Sequence, residues 1–340
     1  MSKVKLLTIH WGLSYGAVMQ TYATCKILEK LGHQVSVINL IHPKMRKFYT
    51  QLRSYLLFIT DVQFGLFKKK YFKNLTEKKY FIDRNAIIDA DYIIVGSDQV
   101  WNRDLTGPID LSFFVDFEEN IPKISLASSF GKTNWTENQC YTEKVKMLLA
   151  QFKHLSVRED SGREILENVF NLKSTVLIDP TLAYGYYDDL ILNNKQVQSI
   201  YTFFIQRRDV NQEITNYISE DLCLPIFRHS RISHYLKNTP RNWLTYIYNS
   251  KLVITDSFHG VVFSIIFKKQ FVALCAEESK FSRIKNLLDI LGLTDRVVYS
   301  IEDYENRKDK INRKIKYDEV ESILTEEREK FYEYVRHSIN

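Results

Sequence analysis

Four short polar turns, each following an apolar run, hold the residues that could do chemistry. TDSFHG (255–260) puts Asp256 and Ser257 at the end of one such run, then His259, then Gly260 at the entry to the wholly apolar VVFSIIF. A helix beginning there offers N–H groups and about half a positive charge, a seat for phosphate. His259 could donate to a phosphate oxygen or deliver a proton near neutral pH. The plainer alternative makes Asp256 or Ser257 a helix cap and His259 an ordinary satisfied polar residue, and the residues alone leave both open. SVREDSG (156–162) sets Arg158 inside a strand-like run, where a guanidinium needs a partner or a ligand. Its fork matches carboxylate and phosphate geometry, but a surface pairing with Glu159 or Asp160 explains it equally well.

GSDQVW (96–101) places Asp98 and Gln99 beside Trp101. The carboxylate could activate a sugar hydroxyl and the indole could stack on a sugar ring; otherwise this is an Asp-capped turn with a core tryptophan. WGLSYG (11–16), with Ser14, Tyr15 and Gly16, bears glycine but is neither G-x-G-x-x-G nor a Walker A loop, so it gives nucleotide binding little support. No G-x-S-x-G elbow, H-E-x-x-H helix or clustered Cys/His set occurs. No metal site and no bound cofactor are expected.

The elements around these turns read as α/β. VKLLTI (4–9) is a buried strand, 17–31 has helical spacing closed by Gly32, and QVSVINLI (34–41) alternates as the next strand. Strand, glycine loop, helix, strand is a βαβ unit, which implies a parallel sheet. Further strands are expected at 92–95, 123–131, 154–157 and 174–179, and in a second lobe at 198–206 and on either side of VVFSIIF. Helices are expected at 213–222, 242–250, 281–293 and 318–339. Residues 42–85, lysine-rich and aromatic, read as helices and a mobile connection that could touch a membrane or a glycan, though a solvated lysine face explains them as well. The simplest architecture is two Rossmann-like lobes facing across a cleft, 1–190 and 191–310, with a C-terminal helix over 311–340 that could pack back on the first lobe. In open parallel sheets ligands sit outside the carboxyl ends of the strands, where these turns lie.

A chain of 340 residues, 45% hydrophobic, is long enough for two packed cores. A net charge of +6 permits an anionic substrate but does not demand nucleic acid, since the basic residues are scattered and no recognition motif accompanies them. Four widely spaced cysteines fit a reducing cytosol. No signal peptide is evident, and no apolar stretch approaches the roughly 20 residues of a membrane span. A cytoplasmic location follows, and the basic segment allows peripheral contact with the inner face of the membrane. The oligomeric state is not legible.

Taken in order, SYGAVMQTYA (14–23), YIIVGSDQVWN (92–102), KISLASSFG (123–131), SVREDSG (156–162), DPTL (179–182), ITDSFHGVVFSIIFKKQFV (254–272) and SRIKNLLDILGL (282–293) resemble the polysaccharide pyruvyl transferase family. Ser14 stands where that family often has Asn, and Val261 where a small hydroxyl residue is common. The resemblance implies a fold similar to the glycosyltransferase B type. It also implies an enzyme that moves the enolpyruvyl group of phosphoenolpyruvate onto a sugar of a capsule, exopolysaccharide or cell-wall glycan, free or lipid-linked, as a pyruvate ketal.

On that reading Arg158, His259 and Arg283, with Ser257, Gly260 and the helix start, would hold the donor. His259 would protonate its CH2 carbon, and Asp98, or second Asp256, would take the attacking hydroxyl's proton. Gln99, Trp101, Ser14, Tyr15 and Gly16 complete the expected binding set. His259→Ala and Arg158→Ala are expected to fold normally and lose most activity. The rival functions are a nucleotide-sugar glycosyltransferase on the same fold and an inactive glycan-binding member.

Overall fold

The computed structural model describes every residue except 45–51, 73, 83–88, 207, 230–236, 276–277 and 340; of 52–57 and 278–280 only the backbone is described. The chain forms two compact units, one of Met1–Ser54, Phe64–Tyr184 and Glu326–Asn340, the other of Tyr55–Gln63 and Gly185–Thr325.

The first unit begins β1 (Lys3–Leu7), α1 (Tyr15–Lys30), β2 (Gln34–Val37), α2 (Leu52–Tyr71, of which Tyr55–Gln63 groups with the second unit), β3 (Tyr92–Val95) and α3 (Arg103–Thr106). It continues β4 (Lys123–Ser125), α4 (Gln139–Leu149), β5 (Phe152–His154), β6 (Ser156–Val157), α5 (Asp160–Asn168), β7 (Thr175–Val176) and α6 (Pro180–Tyr184). Five strands form a wholly parallel sheet in the order β2-β1-β3-β4-β5, and β6 pairs with β7 beside it. A parallel sheet is covered on both faces, so its strands are short apolar runs such as YIIV. Helix α1 starts where Ser14 Oγ accepts the Ala17 N–H at 3.3 Å, and it ends at Gly32, whose φ of +87° only glycine adopts without strain.

Two readings are shortened or extended by tertiary pairing. The strand expected over 34–41 leaves the ladder at Val37, because Leu40 bridges to Lys79 and the Asn39 N–H donates to Thr76 Oγ1. Helix α2 accounts for much of 42–85, whose stretches 45–51 and 83–88 lie outside the described residues.

His10, just past β1, is fully buried beside Phe72, with Nε2 within 3.2 Å of the Ile38 carbonyl. Burial, and then the nearby Lys68 charge, push its pKa down to about 4. The unfolded chain therefore takes up a proton below about 6.5 that the fold refuses until about 4, and stability falls with pH across that window. Between pH 7 and 4.5 the wild type is expected to lose about 2 kcal/mol more than His10→Gln, read from urea midpoints at both pH values.

The second unit contains β8 (Val197–Phe203), α7 (Asp209–Asp221), β9 (Ile226–Arg228), α8 (Pro240–Asn249), β10 (Ser250–Thr255) and α9 (Phe258–Ile266). After these come β11 (Gln270–Leu274), α10 (Glu278–Ile290), β12 (Val297–Val298), α11 (Ile301–Ile311) and α12 (Tyr317–Ser338). Its sheet, also parallel, runs β9-β8-β10-β11-β12. This is the strand order of the first unit repeated: second, first, third, fourth, fifth. In such doubly wound sheets the order reverses beside the first strand, and the crevice opens where the loops after the first and third strands diverge. Those loops follow β1 and β3 in one unit, and β8 and β10 in the other. Helix α9 is buried from Phe258 through Ile265, as its unbroken apolar sequence requires.

The last helix crosses back: within the first unit, Arg328 Nε donates to the Leu182 carbonyl at 3.0 Å and Tyr334 Oη to the Ser125 carbonyl at 2.9 Å. Among the described residues, no helix is long and apolar enough to cross a membrane.

Candidate functional site

In the first unit the candidates converge at the carboxyl ends of β3, β4 and β6. Asp98 is buried and sits at φ +81°, a left-handed conformation that costs a non-glycine residue about 1–3 kcal/mol unless its surroundings enforce it. The surroundings here are explicit. The Asp98 carbonyl accepts the Val100 and Ser129 N–H groups at 2.8 and 3.1 Å, and its Oδ1 accepts the Gln99 N–H at 2.8 Å. Gln99 Oε1 accepts Asn102 Nδ2 at 2.9 Å, over Gly131, where a Cβ would stand 2.1 Å from it.

Arg158 departs from expectation. Its side chain is 2% exposed and Nη1 donates to Asp179 Oδ2 at 2.7 Å and to Ser97 Oγ at 3.3 Å, with Glu159 Oε2 3.7 Å from Nε. Burial alone would lower its pKa, yet Asp179, Glu159 and Asp98 together hold it above the ordinary value. Asp179 is itself fixed, because Oδ1 accepts the Thr181 N–H and hydroxyl at 2.9 and 2.6 Å, and Oδ2 accepts Ser97 Oγ at 3.0 Å. The guanidinium thus ties together three strand-end turns from inside. In this arrangement it positions the turns, and its pairing is buried, not the surface pairing with Glu159 or Asp160 considered above.

Trp101 is likewise corrected. It is 3% exposed, stacks on Phe114 at 5.8 Å, packs against Phe130 at 5.0 Å, and its indole N–H donates to the Phe113 carbonyl. At 3% exposure among these core rings, the indole offers little surface on which a sugar could stack. Tyr15 is also core, packed on Phe64 at 5.0 Å, and Gly16 is buried within α1, whereas Ser14 is exposed as the cap of α1. The β1 loop is joined to the β3 turn through Thr8, whose hydroxyl donates to the Ser97 carbonyl at 2.7 Å and accepts from Gln20 Nε2.

In the second unit the turn after β10 carries Asp256, Ser257, His259 and Gly260. Ser257 caps α9, its Oγ accepting the Gly260 N–H at 3.3 Å. His259 is 9% exposed in the first turn of α9, its ring edge-on to Phe258. Gly260 is required by closeness: a Cβ there would lie 2.5 Å from Thr255 Oγ1. That hydroxyl cannot retreat, since it donates to the Phe203 carbonyl and accepts the Ser257 N–H. Gly260→Ala is expected to cost about 1–3 kcal/mol, seen as a lower denaturant midpoint.

Asp256, the second choice as base, is spent elsewhere. Its carboxylate accepts the Ile205 and Gln206 N–H groups at 2.6 and 3.0 Å and Asn211 Nδ2 at 3.3 Å. Burial raises its pKa against those hydrogen bonds. It holds the turn after β8 in place. Arg283 is half-buried on α10, which packs against α9.

Asp179, Ser97 and Ser129 were not singled out by sequence reasoning, and Glu159 entered it only as a surface partner for Arg158. An aspartate at a strand end followed two residues on by threonine is a capping signal, and it was available in DPTL. The Ser129–Glu159 pair, 2.5 Å between Oγ and Oε1, joins residues 30 positions apart and leaves no local trace.

A family model described as polysaccharide pyruvyl transferase matches residues 15–274, from the first residue of α1 to the last of β11. The chain belongs to that family. The match spans three of the four turns whole and the last two residues, Tyr15 and Gly16, of the first. No curated protein matches the chain. Solved structures share its fold. A candidate UDP-N-acetylglucosamine 2-epimerase from Listeria monocytogenes superposes with a TM-score of 0.51 at 11% identity, covering 94% of this chain and 90% of its own. MnaA of S. aureus, in a co-structure with UDP, gives 0.50 at 11% identity, covering 94% and 91%. At such identities the likeness concerns the fold alone, the glycosyltransferase B arrangement of two Rossmann-like units in one chain.

Proposed function

We propose that this member of the polysaccharide pyruvyl transferase family transfers the enolpyruvyl unit of phosphoenolpyruvate to a sugar of a cell-surface polysaccharide or its precursor, forming a pyruvate ketal and releasing phosphate. The observation that carries the reading is the start of α9. A serine-capped helix terminus and a histidine stand together at the switch point of the second unit's sheet, inside the stretch that matches the family. A helix start favours an anion, and an imidazole beside it can move a proton.

The steps follow from the donor. The CH2 carbon accepts a proton, assigned to His259, which makes C2 electrophilic. One sugar hydroxyl oxygen bonds to C2 as its proton leaves, and Asp98 is assigned that proton. The second hydroxyl oxygen bonds to C2 while the C2–O bond to phosphate breaks. One hydroxyl proton balances that taken up by the methyl group, and the other leaves with phosphate. Arg283, with Ser257 and the start of α9, is assigned the donor's negative charge, Arg158 being engaged with Asp179 in this structure. A phosphoenolpyruvate donor implies action in the cytoplasm, and a lipid-linked acceptor would bring the chain to the inner membrane face.

Incubation of the purified protein with phosphoenolpyruvate and a panel of sugar acceptors should release phosphate and give a product whose mass gain is that of a ketal. Heat of binding with UDP- and GDP-sugars but none with phosphoenolpyruvate would instead select a glycosyltransferase.

A further inference from the structure

The sheet order puts two loops at the second unit's switch point: the turn after β10, already assigned, and the turn after β8, which has no role so far. The second is unusually well anchored. Asp256 accepts both the Ile205 and Gln206 N–H groups, Thr255 Oγ1 donates to the Phe203 carbonyl, and Asn211 Nδ2 reaches both the Gln206 carbonyl and Asp256. Yet the side chain so anchored is an isoleucine 62% exposed, two residues past a strand whose residues from Ser199 to Phe203 are buried.

Single exposed apolar residues are common on surfaces and need no explanation. This one differs in what holds it. A carboxylate has been withdrawn from water largely to fix two backbone N–H groups of a turn whose central side chain contributes nothing to the core. The same carboxylate lies three residues before His259. Asn211, 1% exposed, also keeps its Oδ1 without a hydrogen-bond partner against this turn.

We infer that Ile205 is a specificity-determining contact for the three-carbon unit of the donor, and that Asp256 is the positioning residue that presents it. The inference rests on the phosphoenolpyruvate reading above. A carbon that becomes a methyl group gains from an apolar wall, whereas the phosphate and carboxylate need the polar start of α9.

The test is steady-state kinetics in both substrates with Ile205→Ser, Asp256→Asn and the double variant, together with calorimetric titration of phosphoenolpyruvate. Ile205→Ser should raise KM for phosphoenolpyruvate about tenfold, within the range for losing one apolar contact, with kcat within about twofold and KM for the acceptor unmoved. Asp256→Asn should move KM in the same direction, and the double variant should be no worse than Asp256→Asn, because both act through one contact. An unchanged KM in Ile205→Ser, or effects of the two substitutions that add, would overturn the inference while leaving the function intact. A wild type that neither binds nor consumes phosphoenolpyruvate would remove both.

Discussion

His259→Asn is expected to lower turnover by about 10²–10⁴-fold while leaving the denaturant midpoint within about 1 kcal/mol of wild type. The expectation follows from where the imidazole stands. It is in the first turn of α9, whose start is already capped by Ser257 and packed through Gly260 against Thr255. The cap and the close approach that build that turn are made by Ser257, Gly260 and Thr255, whereas the proton needed at the donor's CH2 carbon is assigned to the ring. Phosphate release under saturating substrates, with circular dichroism as the check on folding, gives the result. Wild-type turnover in the purified variant would remove His259 from the role of acid.

Arg158→Met should do something different in kind. A surface ion pair is worth about 0–1 kcal/mol, but removing one member of a buried pair leaves the other uncompensated at about 3–5 kcal/mol. With Arg158 and Asp179 side chains 2% and 0% exposed, the buried case applies. Loss of stability should come first and loss of activity as its consequence, which reverses the expectation from sequence that Arg158→Ala folds normally. Three of the four tryptophans, Trp11, Trp101 and Trp135, lie in the first unit, so their fluorescence reports its unfolding. Asp179→Asn added to Arg158→Met should recover part of the stability, since Asp179 no longer carries an unpaired buried charge while Glu159, 3.7 Å from the lost guanidinium, still does. A single variant as stable as wild type would show that the guanidinium is not holding the turns.

The sequence made the sheet architecture legible wherever a strand is a short apolar run closed by a polar turn. Tyr92–Val95 lies where YIIV predicts it, and α9 is buried as VVFSIIF demands. Elements with weak local signals were passed over: α4 and α11, the three-residue β5 and β9, and the two-residue β12. Strands that short are made by neighbours in the sheet rather than by their own residues. The site shows the same division. Turns were found because small and charged residues after strands are a local pattern. Partners were not found, because Arg158 with Asp179, or Asp256 with Ile205, is a fact of tertiary pairing. Trp101 illustrates the limit, since nothing in GSDQVW separates an indole covered by Phe114 and Phe130 from one open to a ligand.

The hydrogen bonds from Arg328 to Leu182 and from Tyr334 to Ser125 have a bearing on synthesis. Residues 326–340 emerge from the ribosome only after the whole of the second unit, yet they complete the first. The half translated earliest is thus the last to be finished, waiting with the carboxyl end of β4 uncovered until the closing helix arrives. A premature stop near residue 325 would spare the later half and cripple the earlier one.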